Sequence, residues 1–144
     1  MLGGVKSHLE YAYSIFPFHD FACPCCGIVV VTKRLVLGHC ELCGYVDSDD
    51  IVVHRSGGYR CAEHNLEVGG SPTSRHPLGE AIDYHINGLS LRDMYRVARQ
   101  IKLFRGVGVY KEWNSPGLHS DVRRAHAEWE QVNGVYRKGI SWTN

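Results

Sequence analysis

The sequence predicts one domain that combines helices with strands, and three observations indicate this. A chain of 144 residues is long enough for one domain with a modest core. Residues 80–86 alternate between two faces, as in a strand that carries Asp83 and His85 on the same side. Ser90 precedes apolar residues at helical spacing that continue to Ile101, which predicts a helix with Ser90 as its N-cap.

Weaker patterns predict the remaining elements. Residues 5–16 suit a short amphipathic helix, and strand-like patterns occupy residues 51–53, 106–110 and 118–123. The stretch 60–75 contains the turn-forming segment GGSP and therefore predicts a long surface loop. No element is predicted beyond Arg124, where charged and aromatic residues are mixed.

Composition and charge argue against some classes of protein. The formal net charge of +1 disfavours a nucleic-acid binder, which usually carries a strong basic excess. No stretch approaches the ~20 apolar residues of a membrane-spanning helix, so we expect no membrane insertion. Residues 1–16 contain no apolar run long enough for a signal-peptide core. We therefore expect synthesis in the cytoplasm, with release or another export route needed for action on a cell wall.

The chain is rich in side chains that bind metals, with nine histidines and six cysteines. His76, Asp83 and His119 form the two-imidazole, one-carboxylate set that suits an open, catalytic zinc site. The seven-residue separation of His76 and Asp83, with Gly79 between them, suits a loop followed by a strand rather than one helix face. Three protein ligands would leave a fourth position for water. From spacing alone, ordinary hydrogen-bonded residues remain the alternative.

Four segments, in this order, carry a family resemblance: SGGYRCAEHN, VGGSPTSRHPLGEAIDY, FRGVGVY and LHSDVR. They resemble the zinc D-Ala-D-Ala carboxypeptidases, peptidase family M15, and in particular the short, single-domain branch found in bacterial cell-wall enzymes and phage endolysins. The resemblance covers roughly residues 17–124. Its motif S-x-H-x-x-G-x-A-x-D is intact from Ser74 to Asp83.

The resemblance implies an α+β fold, with a small antiparallel β-sheet and flanking helices, that is shared with the metal-binding domain of hedgehog signalling proteins. It implies one zinc peptidase domain over residues 1–144, with its core at about 17–124. It also implies that His76, Asp83 and His119 bind the catalytic zinc ion.

The resemblance suggests roles for side chains around the zinc ligands. Arg60 would stabilise an oxyanion or clamp a substrate carboxylate, whereas without the resemblance it reads as a solvated loop arginine. Ser74 would hydrogen-bond substrate or brace its loop. His85 shares a predicted strand face with Asp83 and is a further candidate to assist catalysis.

The sequence does not mark the general base clearly. Several relatives place Glu or Asp three residues before the last zinc histidine, and here that position is Pro116. We favour Asp121, two residues beyond His119 on the same predicted strand face. Asp121 is equally suited to orienting His119. Glu112 is a less favoured base, and Arg123 is expected to pair with a carboxylate such as Asp121.

The cysteines include two C-x-x-C pairs, Cys23 with Cys26 and Cys40 with Cys43, at zinc-ribbon spacing. This spacing predicts a second, structural zinc ion and a ribbon-like insertion over residues 23–43. Buried or free thiols are an equally weighted alternative, and disulfides are less favoured without a signal peptide. Cys25 and Cys61 are left over in either scheme.

The sequence thus favours a zinc-dependent peptidase that hydrolyses peptide stems or cross-links of bacterial peptidoglycan, as a D-Ala-D-Ala carboxypeptidase or an endopeptidase, including a phage endolysin. The first alternative is a catalytically silent zinc-binding module that recognises cell-wall peptides or serves as a virion component. The second is a zinc-ribbon adaptor, which the near-neutral charge and the intact His/Asp/His set disfavour. We expect no nucleic-acid partner.

Overall fold

The fold is α+β, as predicted, and the computed structural model describes residues 7–142. Within that range the helices are α1 (His8–Ile15), α2 (Lys33–Leu42), α3 (Ala62–Glu67) and α4 (Leu91–Gln100). The strands are β1 (Ile51–Val53), β2 (Ala81–Ile86), β3 (Gly106–Tyr110), β4 (Gly117–Asp121), β5 (Ala127–Val132) and β6 (Val135–Lys138). They form one sheet in the order β1-β2-β4-β3-β5-β6.

The sheet is antiparallel except where β3 runs parallel to β5. Its central strands β2 and β4 pair so that Asp83 lies opposite His119. Gly108 of β3 lies on the other side of His119 and opposite Trp129 of β5. Because alternate residues of a strand share a face, this register collects Asp83 and His119 on one face of the sheet.

The opposite face of the sheet supplies the core. Helix α4 packs against β2, β3 and β4, and the apolar side chains of these strands are buried against it. Tyr84 and Ser120 are both fully buried there, and their hydroxyl groups lie within hydrogen-bonding distance, 2.9 Å apart. The sheet therefore separates an apolar core from a polar face.

Most of the predicted elements are confirmed. Strands β1 and β2 and helix α4 lie where the sequence placed them, and the Ser90 hydroxyl accepts a hydrogen bond from the Asp93 backbone at the start of α4. Helix α1 lies within the predicted helix at residues 5–16, although residues 5 and 6 fall outside the described part of the chain. Strands β3 and β4 match their predicted segments to within two residues.

One expectation for secondary structure was wrong, and one hairpin lies where the sequence predicted no element. The predicted loop at residues 60–75 contains α3, which begins after Cys61 because the Cys61 sulfur accepts a hydrogen bond from the His64 backbone. The segment beyond Arg124 forms the hairpin β5–β6, although glutamate is depleted in strands. Partners from elsewhere in the chain stabilise it, since Arg99 pairs with Glu128.

Both the backbone conformation of Gly79 and the atoms around it disfavour a side chain at this position. Its φ of +70° is left-handed, and a Cβ there would lie 2.5 Å from the Val30 carbonyl oxygen. We expect Gly79→Ala to lower the free energy of unfolding by about 2–4 kcal/mol, from backbone strain plus the clash. Gly134→Ala is the matched control, because Gly134 has φ +76° and open space at its Cβ, so only about 1–2 kcal/mol is expected. Equal losses in urea unfolding would contradict the steric part of the argument.

Candidate metal centre

Three predicted ligands come together on the polar face of the sheet. His76 begins a short 3₁₀ turn (His76–Leu78), Asp83 lies in β2 and His119 lies in β4. The Asp83 Oδ1 atom is 3.2 Å from His76 Nε2 and 2.9 Å from His119 Nδ1. All three residues are buried, and one ligand atom from each lies within 4.8 Å of the other two.

These separations suit a tetrahedral zinc ion. Zinc binds imidazole nitrogen and carboxylate oxygen at about 2.0–2.1 Å, which places neighbouring tetrahedral ligands about 3.3 Å apart. The two distances from Asp83 Oδ1 are close to that value. The chemistry of the donors agrees, because two imidazoles and a carboxylate are a set that zinc prefers. The residues present therefore fit the ion that the sequence predicts.

In each histidine, the ring nitrogen that faces away from Asp83 lies within hydrogen-bonding distance of another protein group. His76 Nδ1 lies 2.8 Å from the Gly58 carbonyl oxygen. A carbonyl can only accept, so Nδ1 donates, and Nε2 is the ring nitrogen that faces Asp83. His119 Nε2 lies 2.7 Å from Asp121 Oδ2, which leaves Nδ1 facing Asp83. Ring nitrogens and a carboxylate thus converge on one point, an arrangement that a cation satisfies.

Arg60 fixes the second oxygen of the Asp83 carboxylate. Its Nη2 donates to Asp83 Oδ2 at 3.0 Å, while its Nε donates to the Ser56 carbonyl at 2.7 Å and its Nη1 to Asn65 Oδ1 at 3.1 Å. Burial opposes ionisation of Asp83, but the electrostatic influence of the neighbouring His76 and a hydrogen bond with His119 hold the pKa of that carboxyl well below its usual range. Asp83 is therefore ionised and oriented before any ligand arrives.

Asp121 is fully buried, and both of its oxygens have partners. Arg123 donates through Nε to Oδ1 at 2.8 Å and through Nη2 to Oδ2 at 2.7 Å, which confirms the expected ion pair. Burial disfavours the charge of Asp121, but hydrogen bonds from Arg123 and His119 keep its pKa below the usual range. These contacts are those of a carboxylate that orients a metal-binding histidine.

His119 should lose a proton when zinc binds. Burial alone would lower its pKa, but hydrogen bonds to Asp121 and Asp83 raise the pKa to about 9. The metal-free ring is therefore protonated below that pH, and zinc must displace the proton. We expect about one proton released for each zinc ion bound at this centre near pH 7.5, and a zinc affinity of this centre that rises up to about pH 9. Titration calorimetry in buffers of different ionisation enthalpy measures the number of protons released. If no proton were released, the raised pKa of His119 would be contradicted.

Of the remaining predicted site residues, Ser74 contacts the backbone of His76, whereas Glu112 contacts a different part of the chain. Ser74 is half-buried, and its hydroxyl accepts a hydrogen bond from the His76 backbone at 3.2 Å, so it braces the ligand turn. Glu112 instead binds the backbone N–H groups of Asn133 and Gly134 in the β5–β6 turn. Its carboxylate is therefore committed to that turn.

Sequence reasoning did not place His54 beside the predicted ligands. His54 Nε2 lies 2.8 Å from His85 Nδ1, and the His54 backbone donates to the Asp83 carbonyl. Burial lowers the pKa of His54, and the nearby His85 lowers it further. Its ring also packs edge-on against Trp113. Only the pairing of β1 with β2 reveals this placement, since His54 directly follows β1.

The predicted zinc ribbon is wrong in its membership. Within residues 7–142, Cys23 and Cys26 group with Cys61 rather than with Cys40 and Cys43. The reason is that α2 carries Cys40 into the core and ends at Cys43, whose sulfur lies near the ring of His39. The 23–43 segment is thus not a ribbon-like insertion.

The α+β fold and the buried His/Asp/His cluster are those expected of a metal-dependent hydrolase. A family model described as Peptidase M15 matches residues 41–119, more than half of the chain and including all three ligands. The chain belongs to the peptidase M15 family, whose members are zinc-dependent metallopeptidases. No curated protein gives a significant match to the chain. Among residues 7–142, no helix has both the length and the apolar character needed to cross a membrane.

Proposed function

We propose that this protein is a zinc peptidase that hydrolyses peptide stems or cross-links of bacterial peptidoglycan. The observation that carries the proposal is the convergence of His76, Asp83 and His119 on one buried point, with their outer atoms already fixed. A zinc ion bound there would act as a Lewis acid that polarises a carbonyl and lowers the pKa of water.

The protein's own residues position the ligands in this proposal. Arg60 holds the free oxygen of Asp83, the Gly58 carbonyl sets the tautomer of His76, and Asp121 orients His119. Such outer contacts commonly affect metal affinity and activity by about 10–100-fold.

We assign proton transfer to the hydrogen-bonded pair of His54 and His85 rather than to Asp121. Both oxygens of Asp121 are occupied by Arg123 and His119, whereas His54 is partly exposed and its lowered pKa keeps it neutral and able to accept a proton. A general base needs access to the reacting proton as well as a suitable pKa. The position of His85, two residues from Asp83 in β2, supports this assignment.

A cleft next to the ligand turn is suited to a short peptide. Its volume is about 560 Å³, within the usual range for ligand pockets. Residues from α3 and from the ligand loop line it, including Asn65, Leu66, Ser74, Pro77 and Leu78. Leu66 and Leu78 expose apolar surface there, which favours binding of small side chains such as alanine.

Digestion of purified peptidoglycan tests the proposal. We expect mass analysis to detect released amino acids or stem fragments, lost with a chelator and restored by zinc; the mass identifies the bond. Binding to wall material without any product would instead support the silent module. Clearing of intact cells after external addition would extend the proposal to a lysis enzyme of the phage type.

A further inference from the structure

We propose that Cys23, Cys26 and Cys61 hold a second metal ion, a structural zinc separate from the His/Asp/His centre, with Cys25 as the fourth ligand. The sulfur atoms of Cys23, Cys26 and Cys61 lie within 4.8 Å of one another. Cys61 is distant in sequence from the other two, so the cluster is a product of the fold.

The spacing of the sulfurs suits zinc. Zinc–thiolate bonds of about 2.3 Å place tetrahedral sulfur atoms about 3.8 Å apart. A disulfide requires about 2.05 Å and joins two sulfurs only, which would leave the third thiol of this group unpaired. A single divalent cation satisfies all three at once.

The backbone around Cys23 is folded as a turn that presents sulfur atoms. Cys23 and Ile28 close this turn, since the Cys23 N–H donates to the Ile28 carbonyl at 2.8 Å, and Gly27 supplies the left-handed residue at φ +74°. The short turn brings the sulfurs of Cys23 and Cys26 together without strain at a non-glycine residue. A C-x-x-C pair on such a turn is a usual half-site for structural zinc.

Backbone N–H groups point at these sulfur atoms. The Cys61 N–H donates to Cys23 Sγ at 3.4 Å, and the His64 N–H donates to Cys61 Sγ at 3.4 Å. Donors of this kind favour the thiolate, which is the form that binds metal. This second observation is independent of the sulfur spacing.

Cys25, next to Cys26 in the chain, is the remaining cysteine of this segment. Its sulfur lies outside the group of three, so it would turn towards them to complete the set. Cys25 and Cys26 are exposed whereas Cys23 is buried, so the site lies at the surface with one side closed by protein. Four thiolates give the closed coordination typical of structural zinc.

The proposed site is linked to the active site through one peptide bond. Arg60, which orients Asp83, directly precedes Cys61. The adjoining Tyr59 N–H donates to the Phe21 carbonyl, which adds a second tie between the same two segments. A metal ion at the cysteines would therefore fix the backbone that carries Arg60, and metal binding there stabilises the fold directly.

Metal counting on the full-length protein, purified with a reductant, tests the site. We expect two zinc ions per chain in the wild type and one in Cys61→Ser or Cys26→Ser. Cys43→Ser is the matched control, since Cys43 lies outside the cluster, and it should keep two. His76→Ala should keep the cysteine-bound ion, which separates failure here from failure of the proposed function.

Cobalt titration and thiol alkylation make the test independent of variant folding. Cobalt added to metal-free His76→Ala should give a sulfur-to-cobalt charge-transfer band, which Cys23→Ser removes. In the zinc-loaded wild type, alkylation of Cys26 and Cys61 should be slow until a chelator is added. One zinc per chain, unprotected thiols, or a disulfide detected by mass would each overturn the site. Unchanged zinc affinity in Cys25→Ser would overturn the fourth ligand.

Discussion

His76→Ala is expected to bind one zinc ion fewer than the wild type and to lose at least about 10³-fold in peptidoglycan hydrolysis. The imidazole supplies one of three ligand atoms, and its other nitrogen is spent on the Gly58 carbonyl. Alanine leaves Asp83 facing a single ring, and two ligands are too few to retain zinc in an open site. Metal analysis and product release, measured on one preparation, check both parts.

His126→Ala is the matched control for that experiment. His126 is an exposed histidine that contacts Glu128 and Arg99, away from the ligand cluster. It should retain the zinc content and activity of the wild type. If His76→Ala kept the full zinc content of the wild type, or if it bound one zinc ion fewer without losing hydrolysis, the proposed metal centre would not be the site of catalysis.

The ligand set could be predicted from the sequence, but its geometry could not. Alternation along β2 placed Asp83 and His85 on one face, and the motif around His76 indicated a ligand loop. The pairing of Asp83 with His119 depends on the register of strands far apart in sequence. Register is set by side-chain packing on both faces of the sheet, which spacing along one strand does not reveal.

The cysteines show how local spacing misleads. Two C-x-x-C pairs indicated a ribbon, yet Thr32 caps α2 and the apolar residues Leu35 and Val36 bury it in the core. That helix removes Cys40 from the cluster. Cys61 replaces it only because the fold brings a later segment beside Cys23. Long-range contacts of this kind leave no periodic pattern in the sequence.

The roles of charged residues around the ligands were likewise open at the level of sequence. Arg60 was predicted to act on substrate, whereas three of its N–H groups bind Ser56, Asn65 and Asp83. Its proposed action on substrate remains a prediction. Which partner a long side chain reaches is decided by tertiary structure, since arginine offers five donors over a wide reach.

Asp121→Asn separates the two roles that the sequence left open for Asp121. If Asp121 orients His119, removing its charge should lower zinc affinity by about 10–100-fold. The pKa of His119 should also fall, because Asp121 contributes to raising it. Hydrolysis at saturating zinc should then return to within a few-fold of the wild type. Zinc titration measures the zinc affinity, and hydrolysis rates at each zinc concentration show whether the activity returns.

The opposite result follows if Asp121 is the general base. Zinc affinity would then be unchanged, and the rate would stay low by about 10²–10⁴-fold at any zinc concentration. His54→Gln supplies the contrasting variant, because our assignment predicts retained zinc and a lost rate there. Asparagine keeps the shape of Asp121 inside its fully buried site, so the comparison isolates charge from packing. The two variants should therefore fail in different ways, one in binding metal and the other in moving a proton.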